Sequence, residues 1–122
     1  MKKTKELLDI TLAALEDVKA VDVVVFEVSK LTSISDYMVI ASGRSKRQVS
    51  ALAESVVEAA KKFGTQPLGV EGKTEGEWVL VDLGDIIVHI MYPDTREYYQ
   101  LEKLWSSADD RKEDHKENVK IS

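Results

Sequence analysis

Cysteine is absent from this chain of 122 residues, which excludes disulfide bonds and thiolate metal sites and fits a reducing compartment. No apolar run approaches the ~20 residues that a membrane-spanning helix requires. The first ten residues, MKKTKELLDI, lack the apolar core of a signal peptide, and the acidic residues Glu6 and Asp9 argue against a transit peptide. We therefore expect a cytoplasmic protein without a membrane partner.

The established motifs for nucleotide binding are also missing. Gly43 lies in a Ser-Gly-Arg-Ser turn, but neither G-x-x-x-x-G-K-[ST] nor G-x-G-x-x-G is present. The start of the helix that follows, with Ser45 and its basic neighbours, is a candidate anion site. An ordinary glycine turn with solvated basic side chains is the favoured interpretation, and the anion site remains the alternative.

A metal site is a further candidate, because Asp82, Asp85 and His89 are suitable ligand types for a divalent ion. His89 lies four strand residues from Asp85, a separation of ~13 Å, so one metal ion cannot bind all three. The two aspartates alone could hold Mg²⁺ with water, but a polar cap on a tight turn is favoured. We predict no catalytic residue, no cofactor and no metal.

Negative charge is concentrated in one segment of the chain. Residues 71–105 carry three Lys or Arg and eight Asp or Glu, whereas residues 1–70 carry ten and nine. An acidic surface repels nucleic acid and attracts a basic partner, although the same excess also fits a solubilising surface. Residues 106–122 have dense mixed charge and almost no large apolar side chain, which predicts a disordered tail.

Hydrophobic periodicity and turn signals predict a single α/β domain over residues 1–105. Its mixed five-stranded sheet has flanking helices, because a hairpin and a strand–helix–strand unit share it. The strand at 21–28 is apolar on both faces and is expected at the centre of the sheet. In chain order we predict a helix at 4–18, strands at 21–28 and 37–41, a helix from the N-cap Ser45 to Gly64, a strand at 66–71 and a hairpin at 78–91. A last helix follows, capped by Asp94. Its apolar side contains Tyr98, Leu101, Leu104 and Trp105.

The hairpin, WVLVDLGDIIVHIM (78–91), is the most informative stretch of the chain. A two-residue loop at Leu83 and Gly84 would pair Asp82 with Asp85 and Trp78 with His89. Alternation then separates an aliphatic face from a face of mixed chemistry. The aliphatic face contains Val79, Val81, Ile86, Val88 and Ile90, and the mixed face contains Trp78, Leu80, Asp82, Asp85, Ile87, His89 and Met91.

The mixed face suits protein binding, because tryptophan supplies a large contact area and is frequent among the energetic hot spots of interfaces. An acidic rim beside it would steer a basic partner. The alternative is that one of the domain's own helices covers this face and Trp78 belongs to the core. A homodimer that uses the same face is a third interpretation.

Several spaced motifs resemble the ribosomal silencing factor family, also called the Iojap family. They are GVEG (69–72), EWVLVDLGD (77–85), IVHIM (87–91) and REYYQLEKLW (96–105), with SISDYMVIASGRSKRQVSALAESV (33–56) upstream. The resemblance covers residues 5–105. It implies a nucleotidyltransferase-like fold without transferase activity. The residues agree, because no Asp-x-Asp pair follows the Gly43 turn on the next strand to hold the two metal ions that such transfer needs.

The resemblance also implies a function. Members of the family bind the large ribosomal subunit through ribosomal protein number fourteen of that subunit, block joining of the small subunit and repress translation. We expect the partner surface at Trp78, Leu80, Asp82, Asp85 and His89, with Glu71, Met91 and Tyr99 as further candidates. The alternative from another class is a nucleotidyltransferase-like enzyme or nucleotide-binding domain that uses the Gly43 turn.

Overall fold

The computed structural model describes residues 2–72 and 75–104. Its order of helices and strands is the predicted one, with boundaries that differ by a few residues. The elements are α1 (Lys2–Asp17), β1 (Val21–Glu27), β2 (Tyr37–Ser42), α2 (Lys46–Phe63), β3 (Gly69–Glu71), β4 (Trp78–Asp82), β5 (Ile86–Met91) and α3 (Pro93–Tyr99). None of the helices in the described part of the chain is long and apolar enough to cross a membrane.

The five strands form one sheet in the order β1-β2-β5-β4-β3. Strands β2 and β5 are parallel, and the other three neighbouring pairs are antiparallel. The predicted mixed five-stranded sheet with flanking helices is therefore confirmed. The central position expected for β1 is wrong, because β1 is an edge strand. Strand β1 is apolar on both sides because both faces of the sheet are covered at that position. A strand with two covered faces can lie at the edge or at the centre of a sheet.

Both long helices pack on the same side of the sheet, on the aliphatic face. Val79 and Val81 of β4 and Val88 and Ile90 of β5 are fully buried there. Their burial places the main hydrophobic core between the sheet and the helix pair. The helices contribute Leu7, Leu8, Ala14 and Leu15 from α1, and Val49, Leu52, Ala53, Val56 and Ala60 from α2.

Helix α2 begins and ends where the sequence predicts. Ser45 is the N-cap, and its hydroxyl accepts a hydrogen bond from the Gln48 N–H at 3.1 Å. The Gln48 side chain in turn accepts from the Arg44 N–H at 2.6 Å, one residue earlier than in a standard capping box. Gly64 ends the helix in the left-handed region, with φ 101°, where glycine avoids the steric cost of a Cβ.

The hairpin has the predicted faces but a different register. Trp78 pairs with Met91 and Leu80 with His89, a shift of two residues from the expected pairing. The loop is Gly84 and Asp85, closed by the Leu83 N–H donating to the Ile86 carbonyl at 2.9 Å. A two-residue shift keeps every side chain on its face, whereas a one-residue shift would invert them all.

The shift has a clear physical reason. The predicted loop would have placed an apolar Leu83 at the tip of the turn, where water surrounds it. In the observed register Leu83 is 4% exposed and joins the main core, which recovers its transfer free energy. Asp82 then faces Ile87 instead of Asp85, so two like charges are no longer directly opposite.

The start of α3 also differs from the prediction. Tyr92 is the N-cap without a side-chain hydrogen bond, and Pro93 occupies the first turn, where its fixed φ and missing N–H are tolerated. The expected cap at Asp94 is therefore wrong. Tyr98 is 78% exposed and Leu104 is 64% exposed, so these two do not form a packed apolar side. Trp105 and the predicted tail 106–122 lie outside the described residues.

Candidate functional site

The second face of the sheet is built by alternation along β4 and β5 and by cross-strand pairing. We call it the aromatic face. It contains Trp78, Leu80 and Asp82 from β4, Ile87, His89 and Met91 from β5, and Glu71 from β3, which is paired with Leu80. Strands β1 and β2 extend it with a smaller core of Val24, Phe26, Val28, Met38 and Ile40, which also includes Met91.

A hydrogen bond between two rings organises the aromatic face. The indole Nε1–H of Trp78 donates to Nδ1 of His89 at 3.0 Å. The two residues are diagonal neighbours across the β4–β5 pair, a separation that aromatic side chains can bridge. Because Nδ1 accepts, the neutral imidazole carries its proton on Nε2. The contact therefore fixes both the tautomer of His89 and the orientation of the indole.

Burial keeps the imidazole uncharged. His89 is 7% exposed, and desolvation lowers its pKa from 6.5 to about 4. Burial disfavours a charged imidazolium, and protonation of Nδ1 would also remove the acceptor that the indole uses. At neutral pH the histidine is consequently a structural support beneath Trp78, and its properties are not those of a general base poised near pH 7.

Aromatic rings continue from the sheet onto α3. The ring of Tyr99 lies 5.0 Å from that of Trp78 between centroids, tilted by 49°. Tyr98 stands edge-on to Tyr99 at 4.9 Å. Tyr99 is 56% exposed and Trp78 is half-buried. The indole is thus held between His89 and Tyr99 with part of its surface open, and none of the described helices buries it completely.

The two aspartates of the turn interact with the chain itself. Asp82 accepts a hydrogen bond from the Gly84 N–H at 2.9 Å, an arrangement that stabilises tight turns. Asp85 accepts from the hydroxyl of Thr4 at 3.0 Å, which ties the loop to the start of α1. The polar-cap interpretation therefore accounts for both carboxylates. In the part of the chain that the structure describes, no group of three or more His, Cys, Asp or Glu is placed to hold a metal ion.

The predicted partner residues differ in how much surface they present. Glu71 and Tyr99 are exposed, and Trp78, Leu80 and Asp82 are half-buried, so these five form the open part of the face. Met91 is fully buried and lies beneath that surface with His89. Asp85 is exposed at the hairpin tip, but its carboxylate accepts from Thr4 of α1, the helix that packs on the aliphatic face. Its predicted place on the mixed face is therefore wrong, because the residue lies in the loop and not in a strand.

The Gly43 turn has a packing explanation. A Cβ at this position would lie 2.9 Å from the Val49 backbone nitrogen and 3.0 Å from one of its methyl groups. Such distances are too short, so only glycine allows β2 to enter α2 this closely. The adjacent Ser45 is engaged as the N-cap of α2. These two observations give the turn a structural role and do not favour the nucleotide-binding alternative.

Sequence reasoning missed one part of the site, the attachment of α3. The guanidinium of Arg96 donates to the hydroxyl of Ser42 at 2.8 Å and to both carboxylate oxygens of Glu102 at 2.9 and 2.8 Å. The spacing of Arg96 and Glu102, six residues apart, is not a helical pairing distance. It becomes one contact only because Gln100 is left-handed, with φ 50°, a turn that glutamine does not signal in sequence.

Comparison with known proteins assigns the chain to a family. A model of the family described as "Ribosomal silencing factor during starvation" matches residues 1–122. "Ribosomal silencing factor RsfS" of Chromobacterium violaceum is 48% identical over 101 residues, 83% of this chain and 83% of that protein. "Mitochondrial assembly of ribosomal large subunit protein 1" of Mus musculus is 38% identical over 85% of this chain, which spans 48% of that protein.

Solved structures agree with this assignment. A crystal structure of a protein from Chromobacterium violaceum superimposes with a TM-score of 0.82 at 48% identity, covering 83% of this chain and 84% of that one. The resemblance noted over residues 5–105 is thereby confirmed. The chain belongs to the ribosomal silencing factor family.

Proposed function

We propose that this protein binds the large ribosomal subunit through the aromatic face and prevents the small subunit from joining, so that translation is repressed. The contact on the subunit is its ribosomal protein number fourteen, as the family resemblance implies. The mouse relative, whose name refers to the assembly of the ribosomal large subunit, supports the choice of subunit. The action is steric and requires occupancy only, without catalysis, in the cytoplasm.

The observation that carries this proposal is the contrast between a closed and an open sheet face. The aliphatic face is sealed by α1 and α2, with Val79, Val81, Val88 and Ile90 fully buried. The aromatic face instead leaves part of the Trp78 ring and more than half of Tyr99 open to solvent. Rigid aromatic side chains supply contact area at a low entropic cost and are frequent hot spots.

Charge supports a basic partner. Glu71 is exposed in the same row of the sheet as Leu80, and residues 71–105 hold eight of the acidic side chains of the chain against three basic ones. Exposed carboxylates around an aromatic centre raise the rate of encounter with a basic surface. Salt screens this electrostatic attraction and so reduces its effect on the rate. The proposal therefore predicts association that slows as ionic strength rises.

Co-sedimentation with purified large subunits tests the surface. We expect Trp78→Ala to weaken binding at least tenfold, since the loss of a central aromatic contact costs about 2 kcal/mol or more. Glu71→Lys should also weaken binding, because it reverses an exposed charge that would attract a basic partner. Glu58→Lys, an equal change of charge on the exposed side of α2, is the matched control and should leave binding as it is.

Two results would overturn the proposal. One is wild-type binding by Trp78→Ala and Glu71→Lys together, with melting temperatures that show folded proteins. The other is subunit binding that leaves the yield of joined ribosomes unchanged, which would separate occupancy from silencing. A homodimer that competes for the same face would appear in light scattering as a dimer that dissociates when large subunits are added.

A further inference from the structure

Helix α3 has very little to hold it in place. It is seven residues long with none of them buried, and isolated helices of this length are unstable in water. Among the described residues beyond its end, Leu101 packs partly against the smaller core. Yet α3 carries Tyr99, whose ring covers one side of Trp78. Something other than apolar burial must therefore position this ring.

The side chain of Arg96 provides that attachment. It is only 11% exposed and forms a salt bridge of 2.8 Å with Glu102. Its Nε and Nη2 engage both oxygens of that carboxylate, and Nη1 reaches the buried hydroxyl of Ser42 at the end of β2. A two-pronged contact of this kind fixes orientation as well as distance. The guanidinium thus joins α3 to the sheet and to the residues that follow it.

The geometry of the sheet connects this attachment to the indole. Ser42 is paired with Met91, and Met91 with Trp78, so the three residues form one row across adjacent strands. Arg96 engages one end of the row and Tyr99 the other, with the fully buried Met91 between them. Arg96 and Tyr99 are three residues apart and share one helix face. Arg96 therefore attaches α3 at the Ser42 end of the row, and Tyr99 of the same helix lies at the Trp78 end.

The turn after α3 belongs to the same arrangement, and the backbone becomes helical again at 101–104. Gln100 adopts φ 50° and ψ 46°, and its N–H donates to the Arg96 carbonyl at 2.9 Å. This turn brings Glu102 back toward the guanidinium. The Arg96–Glu102 contact supports this turn together with the packing of Leu101 on the smaller core, and the left-handed glutamine has a conformational cost that such contacts must offset. Without the guanidinium, Tyr99, which lies between Arg96 and Gln100, would lose its fixed orientation.

We propose that Arg96, clamped between Ser42 and Glu102, is a positioning residue for partner binding that acts by holding Tyr99 against Trp78. This inference rests on the proposed function, because the affinity concerned is that for the large ribosomal subunit. A pre-organised ring binds without having to be ordered first, and ordering one side chain costs enough to change affinity about three- to tenfold. Arg96 itself need not touch the partner.

Three variants and one double variant test this in the full-length protein. Arg96→Met keeps the aliphatic stem and removes the guanidinium, and Tyr99→Ala removes the ring. Glu97→Gln alters a carboxylate on the exposed side of the same helix and is the matched control. Each protein is examined by thermal melting and by co-sedimentation with large subunits. The proteins that keep Tyr99 are also examined by proton NMR for the cross-peak between the Tyr99 ring and the Trp78 indole.

We expect Arg96→Met to lose the ring cross-peak and to bind large subunits about three- to tenfold more weakly, with a melting temperature near that of the wild type. In the Tyr99→Ala background, Arg96→Met should have no further effect on affinity, because residues that act as one unit are not additive. Glu97→Gln should behave as the wild type. If Arg96 had a merely structural role, Arg96→Met would lower the melting temperature, and its effect on affinity would add to that of Tyr99→Ala in the double variant.

The inference is wrong if Arg96→Met keeps the cross-peak, or if its loss of affinity adds fully to that of Tyr99→Ala. Normal binding by Arg96→Met beside weak binding by Trp78→Ala would overturn the positioning role and leave the proposed function intact. Absence of binding by the wild type would overturn the proposed function and with it the effect on affinity, and the cross-peak would then decide whether the guanidinium holds Tyr99.

Discussion

The two faces of the β4–β5 hairpin share a backbone and differ in almost every other respect. On one face, five aliphatic side chains are sealed under two helices, and none of them has exposed surface. On the other, an indole is held between a neutral imidazole and a tyrosine ring, and part of it remains open. Strand alternation thus separates a fully sealed face from a face that keeps part of its surface open.

This division shows where the stability of the domain resides. Apolar burial of the aliphatic face scales with the area that is removed from water, so that face tolerates little change. The open part of the aromatic face, beside the smaller core, depends on a few directed contacts, such as the one between Trp78 and His89. Directed contacts specify the orientation of side chains at a modest net free energy. Substitutions on the two faces should therefore affect different measurements.

The largest effect is expected on the aliphatic face. Ile90→Ala should lower the free energy of unfolding by about 2 to 5 kcal/mol, because it removes a fully buried side chain and leaves a cavity. Urea denaturation measures this change. A loss below about 1 kcal/mol would mean that the two faces do not differ as we describe.

The second effect is a pH dependence that originates on the aromatic face. Burial holds the pKa of His89 at about 4 in the folded protein, whereas an unfolded chain has the ordinary value of about 6.5. Below pH ~6.5 the unfolded state binds a proton at His89 that the folded state does not bind. The free energy of unfolding therefore decreases as the pH is lowered from ~6.5 and becomes constant below pH ~4. The total change is about 3 kcal/mol.

Urea denaturation between pH 4 and 7 measures this dependence in the wild type and in His89→Gln, which titrates no imidazole at that position. The difference between the two unfolding free energies should grow in favour of the wild type as pH rises. Parallel curves would show that His89 is not buried in its neutral form.

The smallest effect on stability is expected at Leu80, the neighbour of Val79 and Val81 on the opposite face. Leu80 is half-buried, so Leu80→Ala should cost about 1 kcal/mol or less in unfolding free energy. Because Leu80 lies on the proposed contact surface, the same variant should bind large subunits more weakly. Ile90→Ala, assayed at a temperature where it is folded, should bind normally. Weak binding by Ile90→Ala beside normal binding by Leu80→Ala would show that the aromatic face is not the contact surface.

The faces of the hairpin were predictable from sequence, whereas its register was not. The face on which each side chain lies follows from the period-two pattern of apolar residues. A shift of the strand pairing by an even number of residues preserves that face. The choice of loop depends on whether Leu83 is buried, and that is decided by α1 and α2, which pack from distant parts of the chain. The expected facing of Asp82 and Asp85 was wrong for this reason.

Other differences have the same tertiary origin. The pattern of β1 indicates two covered faces, but its place at the edge is set by the parallel pairing of β2 with β5. Tyr98 has the spacing of a packed residue and is instead exposed, because α3 ends at Tyr99 and turns back through Gln100. The contact of Arg96 with Ser42 joins residues 54 positions apart, which local patterns do not indicate.

The central strand of the sheet is also the last strand in the chain, and this has a consequence for biosynthesis. Only β5 joins the β1–β2 pair to the β3–β4 pair, so the two half-sheets remain separate until Met91 has been made and has left the exit tunnel. At ~5 to 20 residues per second, that interval lasts several seconds after β2. Throughout it, β2 presents an unpaired apolar edge, and a nascent chain stalled before Ile86 has no strand with which to complete the sheet. Any shortened version of the protein must accordingly extend past Met91.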